Sequence, residues 1–526
     1  MTITMKEQPT VAVIGAGSSG LSMLKTLRED GFKVTLYERR SQVGGLWAYS
    51  EDPTMTTALH STEANISKYS CGMTDFPMPD KYPHHLSQAQ FQEYMESYAK
   101  HFDMLKDIVF NAFLKRAVRN KEDTKWDVEV VIDGKPQVLE YDKVVFCHGY
   151  QTKAKMPNLE GREKFEGTMI HSQAYRSPDV FEGKKVVVVG IGSTAGDIIK
   201  ELIPVAKVYA SHRRGTFVIQ KWRNGSPADL LVTRRRRQMT MFLQRNFPNT
   251  TRVAVDLGCK YIMRSTWGRL DPAWRITPFP SITLSMPSTG ANIIPSLKDR
   301  TLTSLHGLKR FVGPHSIEFD DGTVLDDVDA VICATGYSAD FDVAPFVEKS
   351  RPANYDGQPI ARLWMNLFPP KYADSACLLC YSGFGKNNGF SFSDVVSMAV
   401  SNIWRGIHPI LSQEDMEKQI DAHHNWVASR WRLDSNVDPS MVKQWEFQGF
   451  LHDAAGTGME NLGWGLEGWK FWFQDREMYN LMNHGVETAH AFRFFETGKR
   501  KTWPGARDAI IQANKAVKVF PIKGVK

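Results

Sequence analysis

Two stretches of the chain carry the same pattern. In the first, the apolar run at residues 11–14 leads into Gly15-Ala16-Gly17-Ser18-Ser19-Gly20, after which Leu21, Leu24 and Leu27 recur at helical spacing. In the second, the β-branched run at residues 185–189 leads into Gly190-Ile191-Gly192-Ser193-Thr194-Ala195-Gly196-Asp197, followed by Ile198, Ile199 and Leu202. An apolar run with no polar alternation suits a strand buried on both faces, as in a parallel sheet, and a spacing of three to four suits one face of a helix. Each stretch therefore predicts strand, glycine turn and helix, and each is followed by another strand, at 33–37 and 205–211. Two further apolar runs, 144–147 and 330–334, close on His148-Gly149 and Thr335-Gly336-Tyr337 and predict strands that end at glycine turns.

Glycines at these positions have separate tasks. Gly15 permits the tight turn, Gly17 lets a pyrophosphate approach the backbone, and Gly20 lets the helix pack closely on the strand. Ser18 and Ser19 then begin a helix whose unpaired N–H groups and dipole favour phosphate. Glu38 ends the next strand, where an acid binds a ribose hydroxyl and selects a nucleotide without a 2′-phosphate, FAD or NAD rather than NADP. In the second unit Gly190 and Gly192 repeat the turn, Ala195 takes the third position, which tolerates a methyl group, and Ser193, Thr194, Gly196 and Asp197 open the helix. Its second strand ends in His212-Arg213-Arg214-Gly215, and arginine there suits the 2′-phosphate of NADPH. An acidic unit followed by an arginine unit points to a flavin reduced by NADPH. Gly44-Gly45-Leu46-Trp47, close behind Glu38, reads either as a backbone that approaches the ligand or as an ordinary turn with a packed Trp.

These elements imply an α/β fold with two Rossmann-like dinucleotide-binding domains, the NADPH domain inserted into a discontinuous FAD domain. The boundaries read as 1–164 for the first part of the FAD domain and 165–336 for the NADPH domain, with a helical insert at about 216–295. Residues 337–526 return to the FAD domain and add a C-terminal helical region. A length of 526 residues exceeds what one core supports, and 42% hydrophobic and 23% charged residues describe an ordinary globular enzyme. A net charge of +7 with no basic tail gives a dedicated nucleic-acid role little support. Arg234 to Arg237 form the one dense basic run, read as a solvated face of the insert, with contact to a membrane surface or an acidic partner as the alternative. The six cysteines are scattered, which suits a reducing compartment. Cys377 and Cys380 spell CxxC but sit in a strand-like run, not at a helix start where a thiolate would be stabilised. With neither a signal-peptide core nor a bilayer-length apolar stretch, the expectation is a cytoplasmic protein, peripheral membrane association left open.

Phe165-Glu166-Gly167-Thr168-Met169-Ile170-His171-Ser172-Gln173-Ala174-Tyr175 resembles the FxGxxxHxxx(F/Y) signature of the flavin-containing monooxygenases. Gly44-Gly45-Leu46-Trp47, Asp75-Phe76-Pro77-Met78-Pro79, Ala334-Thr335-Gly336-Tyr337 and, near the end, Trp503-Pro504-Gly505-Ala506-Arg507 resemble further motifs of that family. The resemblance implies FAD and NADPH as cofactors, and O2 plus a small amine or sulfide as partners. It implies N- or S-oxygenation of that soft nucleophile through a C4a-hydroperoxyflavin. Tyr175 in place of Trp favours heteroatom oxygenation over the alternative, Baeyer–Villiger oxygenation of a ketone. Residues 59–65 resemble the family's Thr-Asn segment beside the flavin, which makes Asn65 the expected catalytic amide and puts Ala64 against the cofactors where the family carries Thr. Without the family, Asn65 reads as a turn residue. Gly45, Leu46, Trp47, Thr335 and Gly336 join the expected cofactor contacts, and His171 is expected to fix packing between domains. Phe242, Phe247, Trp267, Trp464, Trp469, Phe471 and Trp472 are candidates to wall the substrate pocket, with plain packing the expected role of most. No transmembrane anchor is expected, and the sequence leaves room for a homodimer. A flavin disulfide reductase and a non-catalytic nucleotide sensor are the rival readings.

Overall fold

The computed structural model describes residues 8–223, 225–289, 293–381 and 390–517. Along the chain, β1 (Thr10–Ile14), α1 (Ser18–Glu29) and β2 (Lys33–Tyr37) open the first unit. Then come α2 (Gln88–His101), β3 (Ile108–Val109), β4 (Ala112–Arg119), β5 (Trp126–Ile132), β6 (Lys135–Tyr141) and β7 (Lys143–Phe146). The second unit holds β8 (Thr168–His171), β9 (Lys185–Val189), α3 (Ser193–Leu202), β10 (Lys207–Ser211), α4 (Arg234–Asn246) and α5 (Pro248–Trp267). It continues through β11 (Leu302–Leu305), β12 (Leu308–Gly313), β13 (Ser316–Phe319), β14 (Val324–Leu325) and β15 (Ala330–Cys333). The chain returns with β16 (Ala376–Leu378) and the helices α6 (Phe390–Trp404), α7 (Gln413–Trp431), α8 (Gln444–Ala455), α9 (Leu466–Gln474), α10 (Arg476–His484) and α11 (Ala506–Ala516).

The two units repeat one plan. The first sheet has the order β16-β7-β1-β2-β3 and the second β11-β10-β9-β15-β8, and every pairing within them is parallel. Each unit delays its return strand with an antiparallel three-stranded meander, β4-β5-β6 before β7 and β12-β13-β14 before β15. Both central strands have neighbours on either side, so their residues are buried and must be apolar on both faces, which is why the runs at 11–14 and 186–188 lack polar alternation. At β16 the chain supplies a fifth strand to the first sheet from a point far along the sequence, so that sheet is discontinuous.

The connections between the units run side by side: Lys153–Ala154 pairs antiparallel with Tyr337–Ser338. On the far side of the first sheet, α6 packs on α1, and a charge cluster is sealed there. Lys25, 1% exposed, holds Asp75 at 2.7 Å and Glu29 at 3.1 Å, and Arg493 lies 3.5 Å from Asp75. The Asp75-Phe76-Pro77 motif thus serves as a tie between the first helix and the C-terminal region.

The basic run at 234–237 departs from the expected solvated face. Arg234 is buried and donates to the carbonyl of Met459 at 3.2 Å. Arg235 donates to the hydroxyl of Tyr479 and lies 5.0 Å from the Trp464 ring, and Arg237 pairs with Glu487. Arg236 is the member of the run that is exposed. Three of the four side chains are drawn inward because the C-terminal helices, remote in sequence, supply acceptors and aromatic faces on that side of α4. Of the aromatics named as pocket-wall candidates, Phe242, Phe247, Trp464 and Trp469 are each at least half exposed, whereas Trp267 and Phe471 pack against the cores.

Candidate active site between two nucleotide cradles

The first cradle is built from glycines that touch one another's backbones. Gly15, at φ +100°, donates to the carbonyl of Tyr37 at 2.8 Å, and a Cβ there would lie 2.8 Å from the carbonyl oxygen of Cys147. A Cβ on Gly20 would overlap the carbonyl oxygen of Gly15, so the helix can sit this close to the strand only without a side chain. Gly45, at φ +55°, presses on Gly17: its Cβ would fall 2.9 Å from the Gly17 Cα. The Gly44-Gly45-Leu46-Trp47 loop is therefore the second wall of the same cradle, and Gly44 N–H donates to the Ala16 carbonyl at 2.9 Å. Trp47 stacks on Phe91 with ring centroids 4.3 Å apart, while Leu46 is exposed. Ser18 is partly exposed at the helix start, and the hydroxyls of Ser19 and Ser393 lie 2.8 Å apart, linking the turn to α6.

Glu38 is buried at the end of β2. Its carboxylate accepts from the N–H of Ala16 at 2.6 Å and of Arg40 at 2.9 Å, which leaves lone pairs for a further donor. Arg40 was not singled out by sequence. Its guanidinium donates to the carbonyls of Gly45, Ala48 and Thr56, and so holds the loop against the turn. An arginine two residues past the strand-end acid is the only signal for it, and nothing local distinguishes it from Arg39.

The second cradle repeats this geometry. Gly190, at φ +125°, donates to the Ser211 carbonyl at 2.9 Å, and its Cβ would lie 2.5 Å from the carbonyl oxygen of Ala334. Gly192 faces open space, Ser193 and Thr194 begin α3, and Ala195 and Gly196 are buried in its packing. The two arginines part company. Arg214 places one guanidinium nitrogen 2.8 Å from both oxygens of Asp434, whereas Arg213 is 75% exposed with its nearest carboxylate, Asp320, at 3.9 Å. Thr335 donates to the Lys155 carbonyl at 2.5 Å, and Gly336 accepts from Lys155 N–H at 3.0 Å, so this turn joins the two inter-unit connections.

His171 takes a packing role in the signature. Its Nδ1 accepts from Gln173 N–H, its Nε2 therefore donates to the Gly336 carbonyl at 3.0 Å, and burial lowers its basicity. Gln173 and Arg176, missed by sequence, extend the clamp: Gln173 donates to the hydroxyl of Thr56 and the carbonyl of Thr152, and Arg176 to the carbonyls of Met55 and Asp52. Cys377 and Cys380 are fully buried with Cys147 nearby, and burial raises the Cys147 thiol well above its ordinary value. That environment suppresses the thiolate that redox exchange needs.

Asn65 is exposed on a loop of the first unit that is tied to the second by side-chain contacts. Glu63 faces Lys221 at 3.6 Å, Ser67 and Ser70 donate to Asp229 at 2.8 and 2.6 Å, and Ser61 donates to Glu201. Ala64 is buried beside it and donates through its backbone to Leu86. Asp197 on α3 shares this seam: burial raises its carboxyl to about 6, against the opposing pull of Lys221 and Lys200.

The model of the family described as flavin-binding monooxygenase-like matches residues 8–526 of the chain. This chain belongs to that family. Among its relatives is monooxygenase aurF of Gibberella zeae, 34% identical over 519 residues, covering 96% of this chain and 97% of that one. Flavin-containing monooxygenase 5 of Homo sapiens is 32% identical over 80% of this chain and 78% of its own. The fold is shared with S-allyl-L-cysteine S-oxygenase from Allium sativum, at TM-score 0.61 and 18% identity over 98% of this chain and 99% of that one. It is shared equally with cyclohexanone monooxygenase, at TM-score 0.61 and 15% identity over 87% and 98%. As a flavin-binding monooxygenase the chain uses FAD and NADPH. The residues present fit both groups: one cradle is closed by a buried acid, the other is open at Gly192 with an exposed arginine beyond its strand end that is paired only loosely, at 3.9 Å. Among the described residues no helix is long and apolar enough to cross a membrane, and no His, Cys, Asp or Glu cluster could hold a metal ion.

Proposed function

We propose that this monooxygenase transfers one oxygen atom of O2 to the nitrogen of an amine or the sulfur of a sulfide. The observation that carries the reading is the placement of Asn65, an exposed carboxamide on a loop anchored to both units through Glu63–Lys221 and Ser67–Asp229. Bound FAD, reduced by NADPH, supplies the activation of O2. The chain's own residues do the rest. The Gly15 turn with Glu38 binds the flavin nucleotide, and the Gly190 turn with Arg213 binds NADPH. Ser18, Ser19, Ser193 and Thr194 line the helix starts that face the phosphates, Asp197 lies one turn further along α3, and Thr335 and Gly336 hold the return turn. The amide of Asn65 donates a hydrogen bond without releasing an acidic proton, which suits holding an activated oxygen rather than discharging it as peroxide.

Tyr175 supports the heteroatom reading. It is buried and packs on Phe181 with centroids 5.9 Å apart, so the last signature position is a packing site filled by a single ring. Ala64 leaves the neighbour of Asn65 without a hydroxyl, so the amide is the polar group offered there. The test incubates the purified holoenzyme with NADPH and O2 and matched amine, sulfide and ketone probes. N-oxide or sulfoxide is expected, and an ester or lactone from the ketone as the main product overturns the proposal.

A further inference from the structure

A cavity apart from the cradles lies between the insert and the C-terminal helices. It has a volume of about 280 Å³ and is lined by α4, the start of α5, residues 282–283, the last turns of α7 and the lead into α8. None of its lining residues belongs to a glycine turn or to the Asn65 loop. Its walls are aromatic and apolar at one side, with Trp426 and Trp445 edge to face at 6.4 Å and Met441, Val442 and Ile282 beside them.

Two guanidinium groups reach this space, and among the described residues no acidic one lines it. Arg237 is neutralised by Glu487. Arg430 is different: it lies 5.5 Å from the Trp426 ring, and its buried Nε has no hydrogen-bond partner. The charge nearest in effect is another cation, Arg252, and burial together with Arg252 weakens the hold of Arg430 on its proton. A partly buried guanidinium without a counter-charge is costly, and an anion that enters the cavity would remove that cost. A planar carboxylate matches the guanidinium fork, and an aromatic body matches the indole edges.

We propose that this cavity binds a small aromatic carboxylate, its ring against Trp426 and Trp445 and its carboxylate on Arg430. The site goes beyond the oxygenation reading and does not depend on it. Titration calorimetry of the FAD-loaded enzyme with 4-(methylthio)benzoate and its uncharged analogue 4-(methylthio)benzamide tests it. One acid is expected to bind per chain, about tenfold or more tighter than the amide. Arg430→Gln should abolish that preference, and Arg430→Lys should restore part of it. Equal affinities in the parent enzyme, or a preference that survives in Arg430→Gln, overturns the proposal. The acid-versus-amide comparison on the parent requires no variant to fold. Sulfoxide formation from the acid separates the two sources of such a ligand. Because the cavity stands apart from the cradles, binding of the acid without sulfoxide is the expected result, and sulfoxide formation that is lost in Arg430→Gln overturns the assignment of a separate site.

Discussion

In the proposed reading coenzyme choice rests on one arginine of an adjacent pair, and the pairing of the two side chains favours Arg213. Arg214 is spent on Asp434, with both contacts at 2.8 Å, whereas Arg213 projects from the end of β10 with 75% of its side chain exposed. Its stem is guided by Gly307, since any Cβ there would collide with the Arg213 Cγ. A hydrogen bond to a charged group contributes about 1.5–3 kcal/mol, and an exposed site belongs at the lower end. Arg213→Gln should therefore lower kcat/KM for NADPH by about ten- to thirtyfold, at about 1.4 kcal/mol per tenfold, and leave NADH nearly unchanged. Arg214→Gln should keep the NADPH/NADH ratio within about threefold, under ~0.7 kcal/mol, because its guanidinium is already engaged. Stopped-flow reduction of the bound flavin by each coenzyme measures both. If Arg214→Gln collapses the ratio and Arg213→Gln does not, the assignment of Arg213 to the phosphate is wrong.

Gly20→Ala forces α1 off β1 and should cost about 1–3 kcal/mol as overpacking, with loss of retained FAD on gel filtration; full flavin content would contradict the close contact with Gly15. Asp75→Asn leaves Lys25 with only the partly exposed Glu29 and Arg493 facing a neutral amide, and should destabilise the protein by about 3 kcal/mol in urea unfolding, so an unmoved midpoint would show the cluster to be unimportant. Asp197 has its carboxyl raised to about 6 from 3.8, so its contribution to stability is intact below about 4 and is lost as pH rises through 6. Asp197→Asn is thus expected to melt above the parent at pH 7–8, with the difference fading toward pH 4; a constant difference across pH would point to another cause.

Local order along the chain was enough to read both cradles. The tight turn, the close helix and the strand-end acid or arginine are all set within about thirty residues, so Gly15 to Glu38 and Gly190 to Arg214 carry their geometry in their spacing. The flavin-binding monooxygenase-like family was legible for the same reason, since its motifs are short and contiguous. What only the tertiary structure decided involves partners far apart in sequence. Arg213 and Arg214 look alike until Asp434 arrives from a loop 220 residues away. Arg234, Arg235 and Arg237 read as a solvated face until Met459, Tyr479 and Glu487 cover them. Arg430 is an ordinary helical arginine until the insert closes a cavity over it. Periodicity and turn chemistry are properties of neighbours along the chain, whereas the state of a charge depends on what the rest of the fold brings to it.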